Sequence, residues 1–563
     1  MRFRPLPILL ALLTIAATPH PAQSPHPTQA PYSPAKSPHP IQSLHSPIPH
    51  PTQFPYPPAP HPAKRVFNPT TVNLHYTVSM EHPDRHLYHV VLTAVGLKGP
   101  VIDLRMPAWM PGYYQLLDYA KNLSGLRAVD EHGQALPWEK TGRDAWRVAV
   151  GRARMLTVEY DILAHTQFAA QSWLNTTRGF ISPTSLFLYP DGYLQNPATL
   201  DIQLYPGWAS IATGLDTLPG KTHRYYAPDF DILYDCPILM GNLETLPSFT
   251  VRGIPHYFIG YQLGEFDRER FVGELKKVVS AAVDLFGDIP YKHYTFLAIG
   301  AGRGGIEHLN STTVPFSGKE LSTDAGRRRV FQFLAHEYFH NYNVKRIRPI
   351  ALGPFDYQRQ DRTNMLWVSE GLSVYYEDKL VQWAGLMSGE DLLRNFQSNM
   401  AAYENKSGHL YQSLAESSWD TWNDGPLGGR KDSTISFYDK GPAVGLLFDM
   451  AIRHATGNRK SLDDVMRFLY RKYYQQEQRG FTDMEFRAVC EAIAGKDLQE
   501  LFDYVYTVKE PDYATYLAYG GLHVDLEPHP SKDSTHTERS FAITPMPNPD
   551  TLQLNIRKSW LGY

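Results

Sequence analysis

The chain has 563 residues, of which 42% are hydrophobic and 13% aromatic, so it has enough apolar material for two or three cores. Its formal net charge is only -3 at pH 7, and it contains no long run of Lys or Arg. We therefore do not expect it to bind nucleic acid or an anionic membrane surface.

Residues 1–18 have the pattern of a secretory signal peptide. Two arginines precede an apolar stretch of about a dozen residues, which ends near the small residues Ala16 and Ala17. That stretch is shorter than the ~20 residues that a membrane-spanning helix needs, and no second apolar segment follows it. We expect an exported protein, secreted or periplasmic, without an integral membrane segment once the signal has been cleaved.

A linker rich in Pro and His is predicted for residues 19–64. Its sequence repeats itself, with Ser-Pro-His-Pro at 24–27 and again at 37–40. Proline-rich chain favours an extended, solvated conformation and serves as a semi-rigid spacer. Loose metal binding by the scattered histidines is the alternative, but each ligand would have to be ordered at an entropic cost.

The only cysteines are Cys236 and Cys490. An exported protein of this size could use a disulfide, but two cysteines this far apart in sequence are more often independent buried thiols. We expect hydrophobic cores, not cross-links, to hold the fold together.

An all-β domain is predicted for residues 65–250. Apolar and polar residues alternate in 72–78, 88–95 and 155–163, and Gly, Pro and Asp-Gly turns separate these stretches. The segment 106–114 is rich in aromatic residues and proline. We interpret it as a tightly packed turn and not as a ligand site.

Residues 251–386 combine helices with a strand. An amphipathic helix is capped by Asp267 and Gly287, and a strand follows at 294–299. A further helix, opened near Thr323, carries His336, Glu337 and His340. Residues four apart share one face of a helix, so the two imidazoles can bind one ion while Glu337 reaches a water molecule beside it.

A third metal ligand is expected because a catalytic zinc site takes three protein ligands and leaves one position open. Glu370 begins another apolar-periodic helix and would complete a set of two histidines and one carboxylate. The alternative is a first-turn charge favoured by the helix dipole. The Glu-Gly sequence downstream of the His-Glu motif favours the ligand.

A helical domain is predicted for residues 387–525. Helices are expected at 441–454, 461–474 and 482–493, the last with a capping box formed by Thr482 and Glu485. Residues 526–563 are polar and rich in Pro, so we expect a tail or a small incomplete element.

Four ordered segments resemble those of the glycyl aminopeptidase family of zinc peptidases, metallopeptidase family sixty-one. They are Gly-Gly-Ile-Glu-His at 304–308, the His-Glu segment at 336–349, Trp-Val-Ser-Glu-Gly at 367–371 and Phe-Tyr-Asp-Lys-Gly at 437–441. The family is distantly similar to aminopeptidase N. The resemblance covers about residues 66–525 and implies a multidomain α+β fold: an N-terminal all-β domain, a thermolysin-like zinc catalytic domain at 251–386 and a C-terminal helical domain. The tail is too short for the PDZ domain that family members often carry.

The resemblance also implies roles for residues outside the metal set. Tyr438 matches the family tyrosine that stabilises the oxyanion, although a lone tyrosine is more often a packing residue. Glu307 matches the carboxylate that holds a substrate N-terminus; the alternative is a surface salt bridge. His308 is a candidate for substrate binding or for a structural hydrogen bond. We expect Arg346 and Arg348 to brace the metal helices.

The sequence thus predicts a zinc-dependent peptidase acting on peptide substrates, with Glu337 as the proton acceptor. An aminopeptidase that favours small N-terminal residues such as Gly or Ala is implied by the resemblance. Two alternatives stay open: a zinc endopeptidase on exported peptides, and a non-catalytic envelope binding protein on a peptidase fold. Retention of Glu337 beside all three ligands counts against the latter.

Glu377 is a candidate partner for a ligand histidine.

Overall fold

A computed structural model describes residues 72–300, 304–427, 432–530 and 537–562, and these belong to one compact unit. The predicted signal peptide and the predicted Pro/His-rich linker lie outside the described residues. Among the residues that are described, no helix is both long and apolar enough to cross a membrane. Within the unit, β, mixed and helical regions follow one another along the chain, which confirms the predicted multidomain α+β class. The predicted domain boundaries stay predictions.

The first region, up to residue 241, is built from three sheets and one short helix, α1 (Phe230–Tyr234). Its strands are, in chain order, β1 (Asn73–Ser79), β2 (Leu87–Val95), β3 (Ile102–Arg105), β4 (Leu123–Val129), β5 (Trp138–Lys140), β6 (Ala145–Val148), β7 (Met155–Leu163), β8 (Trp173–Leu174), β9 (Arg178–Ile181), β10 (Tyr189–Pro190), β11 (Ala198–Gln203), β12 (Ser210–Thr213), β13 (Asp216–Thr217), β14 (Arg224–Ala227) and β15 (Ile238–Gly241).

The three stretches predicted as strands are confirmed as β1, β2 and β7. They are neighbours in the largest sheet, whose order is β13-β14-β11-β1-β2-β7-β4. On β1, Leu74, Tyr76 and Val78 are buried while the residues between them are not, as the alternation predicts. The hydroxyl of Tyr76 donates to the Leu188 carbonyl at 2.6 Å, so the buried phenol is satisfied. The smaller sheets have the orders β10-β3-β6-β5 and β12-β15-β9-β8.

The second region is a mixed sheet covered by helices. Its elements are β16 (Glu244–Thr245), β17 (Phe249–Val251), β18 (Ile254–Gly260), α2 (Arg268–Phe286), β19 (Tyr294–Ala298), β20 (Ile306–Glu307), β21 (Ser311–Val314), α3 (Asp324–Phe339) and α4 (Leu372–Trp383). Strands β18, β19 and β21 are parallel, and β20 pairs antiparallel with β21 at the edge of the sheet. This edge faces the candidate site described below.

The predicted helix ends in this region are confirmed. The Asp267 side chain accepts from the Arg270 amide and opens α2, and Gly287 ends it with a left-handed φ of 77°. Thr323 caps α3 by accepting from the Gly326 amide. A π-helical turn, Trp367–Gly371, precedes α4 and contains Glu370.

The third region is helical: α5 (Gly389–Glu404), α6 (Leu414–Asp424), α7 (Phe437–Ala455), α8 (Leu462–Leu469), α9 (Asp483–Ala494), α10 (Gln499–Tyr506) and α11 (Tyr513–Ala518). The capping box of Thr482 and Glu485 is present as predicted. Helix α7, however, begins four residues before the predicted start at 441, because the Ser436 side chain accepts from the Tyr438 amide and caps it there. Tyr438 therefore lies in the first turn of a helix.

The predicted tail forms a small folded element together with a strand, β22 (Leu522–Val524), from the end of the predicted helical domain. The element also contains β23 (Pro528–Pro530), β24 (Thr537–Arg539), β25 (Ile543–Pro545) and α12 (Thr551–Leu561). Trp560 is fully buried and donates from its ring nitrogen to the Tyr375 hydroxyl at 2.9 Å, which attaches α12 to α4. The two cysteines are free and buried, as expected.

Candidate active site

Two histidines and a glutamate from adjacent helices form a cluster of possible metal ligands. His336 and His340 lie on one face of α3, with their Nε2 atoms 2.9 Å apart. The Glu370 Oε2 atom lies 3.2 Å from His340 Nε2 and 3.6 Å from His336 Nε2, and all three residues are buried. Two imidazole nitrogens directed at the same point would repel each other unless they share a cation or a proton. The N, N, O donor set fits a divalent cation such as zinc.

The far nitrogen of each imidazole also has a partner. His340 Nδ1 is hydrogen-bonded to the Asn343 carbonyl oxygen at 2.8 Å, and His336 Nδ1 lies 2.8 Å from Glu377 Oε2, an ion-pair distance without the alignment of a hydrogen bond. An acceptor at Nδ1 holds the proton there and leaves Nε2 with its lone pair free for a metal. The structure therefore places Glu377 where a supporting partner of a ligand histidine is needed.

Charge also favours Glu370 as a ligand. Burial by itself would raise the pKa of this carboxyl, but His340 and His336 outweigh burial and hold the pKa below its ordinary value. Glu370 is therefore present as an anionic donor.

Close contact between two glycines brings Tyr438 to Glu370. A Cβ atom on Gly371 would lie 2.6 Å from the Gly441 Cα atom and 2.9 Å from the Phe437 carbonyl oxygen. Only glycine permits this approach between the π-helical turn and α7. As a result, the Tyr438 hydroxyl donates to Glu370 Oε2 at 3.0 Å. The glycines of the Glu-Gly and Lys-Gly motifs thus have one shared packing role.

Glu337 is buried beside the two histidines, on the side of the edge strand β20. Burial raises the pKa of this carboxyl to about 7, although the charges of His336 and His340 act in the opposite direction. Thr312 Oγ1 is 3.4 Å from Glu337 Oε2, and a Cβ on Gly305 would collide with the carboxylate. A carboxyl with a pKa near neutrality can both accept and release a proton.

Glu307 lies on the edge strand and is nearly inaccessible, with 4% of its surface exposed. Its Oε1 atom has no hydrogen-bond partner, and the Lys345 Nζ atom lies 3.8 Å from it. The carboxylate is therefore not in the surface salt bridge that the sequence left open. A buried carboxylate oxygen without a donor is suited to an incoming ammonium group.

A turn from the first region covers Glu307. Gly112 has a φ of 94°, and a Cβ atom there would lie 2.8 Å from Glu307 Oε2 and 3.0 Å from Oε1. The segment 106–114 is tightly packed, as predicted: Trp109 is buried and contacts Trp422 with ring centroids 5.0 Å apart. The same segment also borders Glu307.

His308 is buried and contacts Asp235. Its Nδ1 atom lies 3.3 Å from Asp235 Oδ1, and the Leu309 amide donates to Asp235 Oδ2 at 2.6 Å. These contacts favour the structural alternative for His308.

Arg346 has a bracing role, but it connects α3 to the sheet and not to the second metal helix. Its guanidinium donates to the carbonyl oxygens of Leu309 at 3.0 Å and Pro290 at 2.9 Å, and so connects the loop after α3 to β20 and β19. Arg348 is packed over the ring of Phe355.

Four residues near the site were not predicted from the sequence: Gly112, Tyr114, Asp235 and Lys345. Burial raises the pKa of the Tyr114 hydroxyl, and the charges of Glu370 and Glu307 raise it further, so this ring is close to both carboxylates. Lys345 lies inside the 336–349 segment, where its position five residues after a ligand histidine was an available signal. Nothing in the sequence around Asp235 indicates a role.

Comparisons with known proteins agree with this architecture. Residues 75–242 match the Peptidase M61 N-terminal domain, and residues 329–444 match the M61 glycyl aminopeptidase domain. Together the two ranges cover just over half of the chain. No curated protein matches the chain.

Three solved structures are also similar to this chain. An aminopeptidase N family protein from Idiomarina loihiensis is 26% identical with a TM-score of 0.77, and the match covers 82% of this chain and 81% of that one. Yeast LTA4 hydrolase in complex with bestatin is 15% identical with a TM-score of 0.50, over 82% of this chain and 73% of that one. An M1 zinc metallopeptidase from Deinococcus radiodurans is 14% identical with a TM-score of 0.48, over 78% and 94% of the two chains.

Proposed function

The chain belongs to the M61 glycyl aminopeptidase family of peptidases, and we propose that it is a zinc-dependent aminopeptidase that removes small N-terminal residues such as Gly or Ala. The observation that carries the proposal is the buried Glu307 carboxylate, whose Oε1 atom has no hydrogen-bond partner. An exopeptidase needs such a carboxylate to hold the free α-ammonium of its substrate. The likeness to an aminopeptidase N family protein supports the same activity.

Each step of peptide hydrolysis has a residue suited to it. A zinc ion held by His336, His340 and Glu370 would polarise the scissile carbonyl and make water more acidic. Glu337, with a pKa near 7, accepts a proton from the attacking water and passes it to the leaving amine. The Tyr438 hydroxyl, beside the ligand Glu370, donates to the oxygen on which negative charge develops.

The proposed preference for a small N-terminal residue is supported by the turn at Gly112, which packs against Glu307. The Gly112 turn is so close that even one methyl group on it would contact both carboxylate oxygens. The Gly112 turn therefore limits the space beside an ammonium bound at Glu307, which favours a small residue at the substrate N-terminus. Export to the periplasm or the medium is part of the proposal and rests on the pattern of residues 1–18.

An experiment on substrate amines tests the proposal. Hydrolysis of glycyl, alanyl and leucyl amides is compared with hydrolysis of the same compounds acetylated at the amine. We expect acetylation to abolish cleavage and the glycyl and alanyl compounds to be the better substrates. Glu307→Ala is expected to lower kcat/KM on free amines by about 10²-fold, the scale of removing one partner of a buried charge pair, while the metal content stays unchanged.

The alternatives predict different outcomes. Cleavage of acetylated peptides as fast as free ones would replace the aminopeptidase with an endopeptidase. Binding without turnover on any of these compounds would favour a non-catalytic binding protein.

A further inference from the structure

Four ionisable side chains from three parts of the chain meet behind the edge strand. Asp235 follows α1 in the β region, Glu307 and His308 belong to β20 and the residue after it, and Lys345 lies in the loop after α3. The Lys345 Nζ atom is 2.8 Å from Asp235 Oδ1 and 3.8 Å from Glu307 Oε1. The side chains of Lys345 and Glu307 are 7% and 5% exposed.

The two contacts of Lys345 differ in kind. At 2.8 Å its ammonium forms a hydrogen-bonded ion pair with Asp235, whereas 3.8 Å is too long for a hydrogen bond to Glu307. The positive charge of Lys345 therefore acts on Glu307, while Glu307 Oε1 can still accept a hydrogen bond from another donor. Without Asp235, the ammonium would be free to move toward the second carboxylate, since a buried ammonium with an unused donor is costly.

The charges of the group also match the proposed ligand. Asp235 and Glu307 share one ammonium, and only Asp235 is hydrogen-bonded to it, so Glu307 is left without a hydrogen-bonded cation. Lys345 keeps the pKa of Asp235 near 2 against the effect of burial, and Asp235 helps to keep the pKa of Lys345 above its ordinary value. An α-ammonium would supply the hydrogen-bonded cation that Glu307 lacks.

We propose that Asp235 is a positioning residue for the substrate amine: it holds the Lys345 ammonium and so prevents Lys345 from occupying Glu307 in place of the substrate. The proposal rests on the proposed function, because it assigns Glu307 to the α-ammonium. It extends the amine-binding site into the β region, which supplies Asp235 as well as Gly112.

The proposal predicts an unusual relation between single and double variants. In Asp235→Asn, Lys345 loses its partner and pairs with Glu307, so binding of an α-ammonium weakens. In the double variant Asp235→Asn with Lys345→Met, nothing competes for Glu307, and binding recovers. A merely structural ion pair between regions predicts the reverse, because removing both partners would leave binding no better than removing one.

The experiment measures binding by calorimetry in a Glu337→Gln background, so that the probe is not consumed. The probes are glycinamide and N-acetylglycinamide, with the protein zinc-loaded. We expect Asp235→Asn to weaken glycinamide binding about tenfold or more and the double variant to return to within about threefold of the parent. Binding of the acetylated probe is expected to be equally weak in all variants.

A matched control variant distinguishes a general loss of protein stability from a specific loss of amine binding at Glu307. Glu274→Gln breaks the ion pair between α2 and Arg327 at the start of α3, which is also partly buried. It is expected to lower Tm without changing the affinity for glycinamide. In the native enzyme, Asp235→Asn should raise KM for free-amine substrates more than it lowers kcat.

Two results would overturn the proposal while leaving the proposed function intact: unchanged glycinamide binding in Asp235→Asn, or a double variant as weak as the single one. Failure of the proposed function looks different, because the parent protein would then bind glycinamide and its acetylated form equally well.

Discussion

The two halves of the candidate site are assembled in different ways. The metal half uses His336 and His340 from one helix and Glu370 from the π-helical turn before the next one. The amine half is built around Glu307 and takes Gly112 and Asp235 from the β region and Lys345 from the loop after α3. Helical periodicity fixes the two histidines locally and the packing of a neighbouring helical turn adds Glu370, whereas the amine half needs three separate parts of the chain to pack together.

This difference predicts two kinds of functional damage. Changes in the metal half should impair the hydrolysis of every substrate, because all of them need the same chemistry. Changes in the amine half should weaken binding of the α-ammonium, and so raise KM, while metal content and the chemistry of hydrolysis stay intact. The variants below test this separation.

The largest effect is expected from loss of a metal ligand. Glu370→Ala removes one of three donors, so zinc content should fall substantially and turnover should be lost for all substrates. Glu337→Gln removes a proton acceptor and not a donor, so zinc should stay bound while kcat falls by roughly 10³-fold. Elemental analysis beside steady-state kinetics distinguishes them. Full zinc content in Glu370→Ala would refute the ligand assignment, and an active Glu337→Gln would refute the role of Glu337.

A smaller effect, still common to all substrates, is expected at Tyr438. Tyr438→Phe removes the hydroxyl that lies 3.0 Å from Glu370 Oε2, and kcat should fall by roughly 10²-fold with KM little changed. The control is Tyr376→Phe, which removes a buried hydroxyl bonded to Asp463 and should leave kcat unchanged. Equal kcat values for Tyr438→Phe and the native enzyme would show that this hydroxyl does not act on the reaction.

The smallest effect is expected from Gly112→Ala, and only in the amine half. The new methyl group presses on Glu307, so kcat/KM for free-amine substrates should fall about tenfold while zinc content is unchanged. Gly133→Ala is a matched control, since Gly133 also has a positive φ of 76° but nothing within 4 Å of the added Cβ. It should lower stability slightly and leave kinetics unchanged. The same kinetic loss in both variants would show that backbone strain, not contact with Glu307, is responsible.

Much of the metal half was predictable from the sequence. The spacing of His336 and His340 fixes a shared helix face, and the caps at Asp267, Thr323 and Gly287 lie where the sequence puts them. Alternating burial in the first region follows from alternating polarity in the same way. These features depend on hydrogen bonds and side-chain periods that act over about four residues, so the local sequence is sufficient.

Other features were decided only by tertiary structure. Helix α7 begins at Phe437 and not at the predicted residue 441, because Ser436 caps it there. The packing of Gly441 on Gly371 then places Tyr438 beside the metal ligands. His308 faces Asp235, and the segment 106–114 both packs and covers Glu307. The predicted tail is folded because Trp560 is buried against α4 and hydrogen-bonded to Tyr375. Each depends on which surfaces of distant segments meet, and no pattern within a single segment of the sequence contains that information.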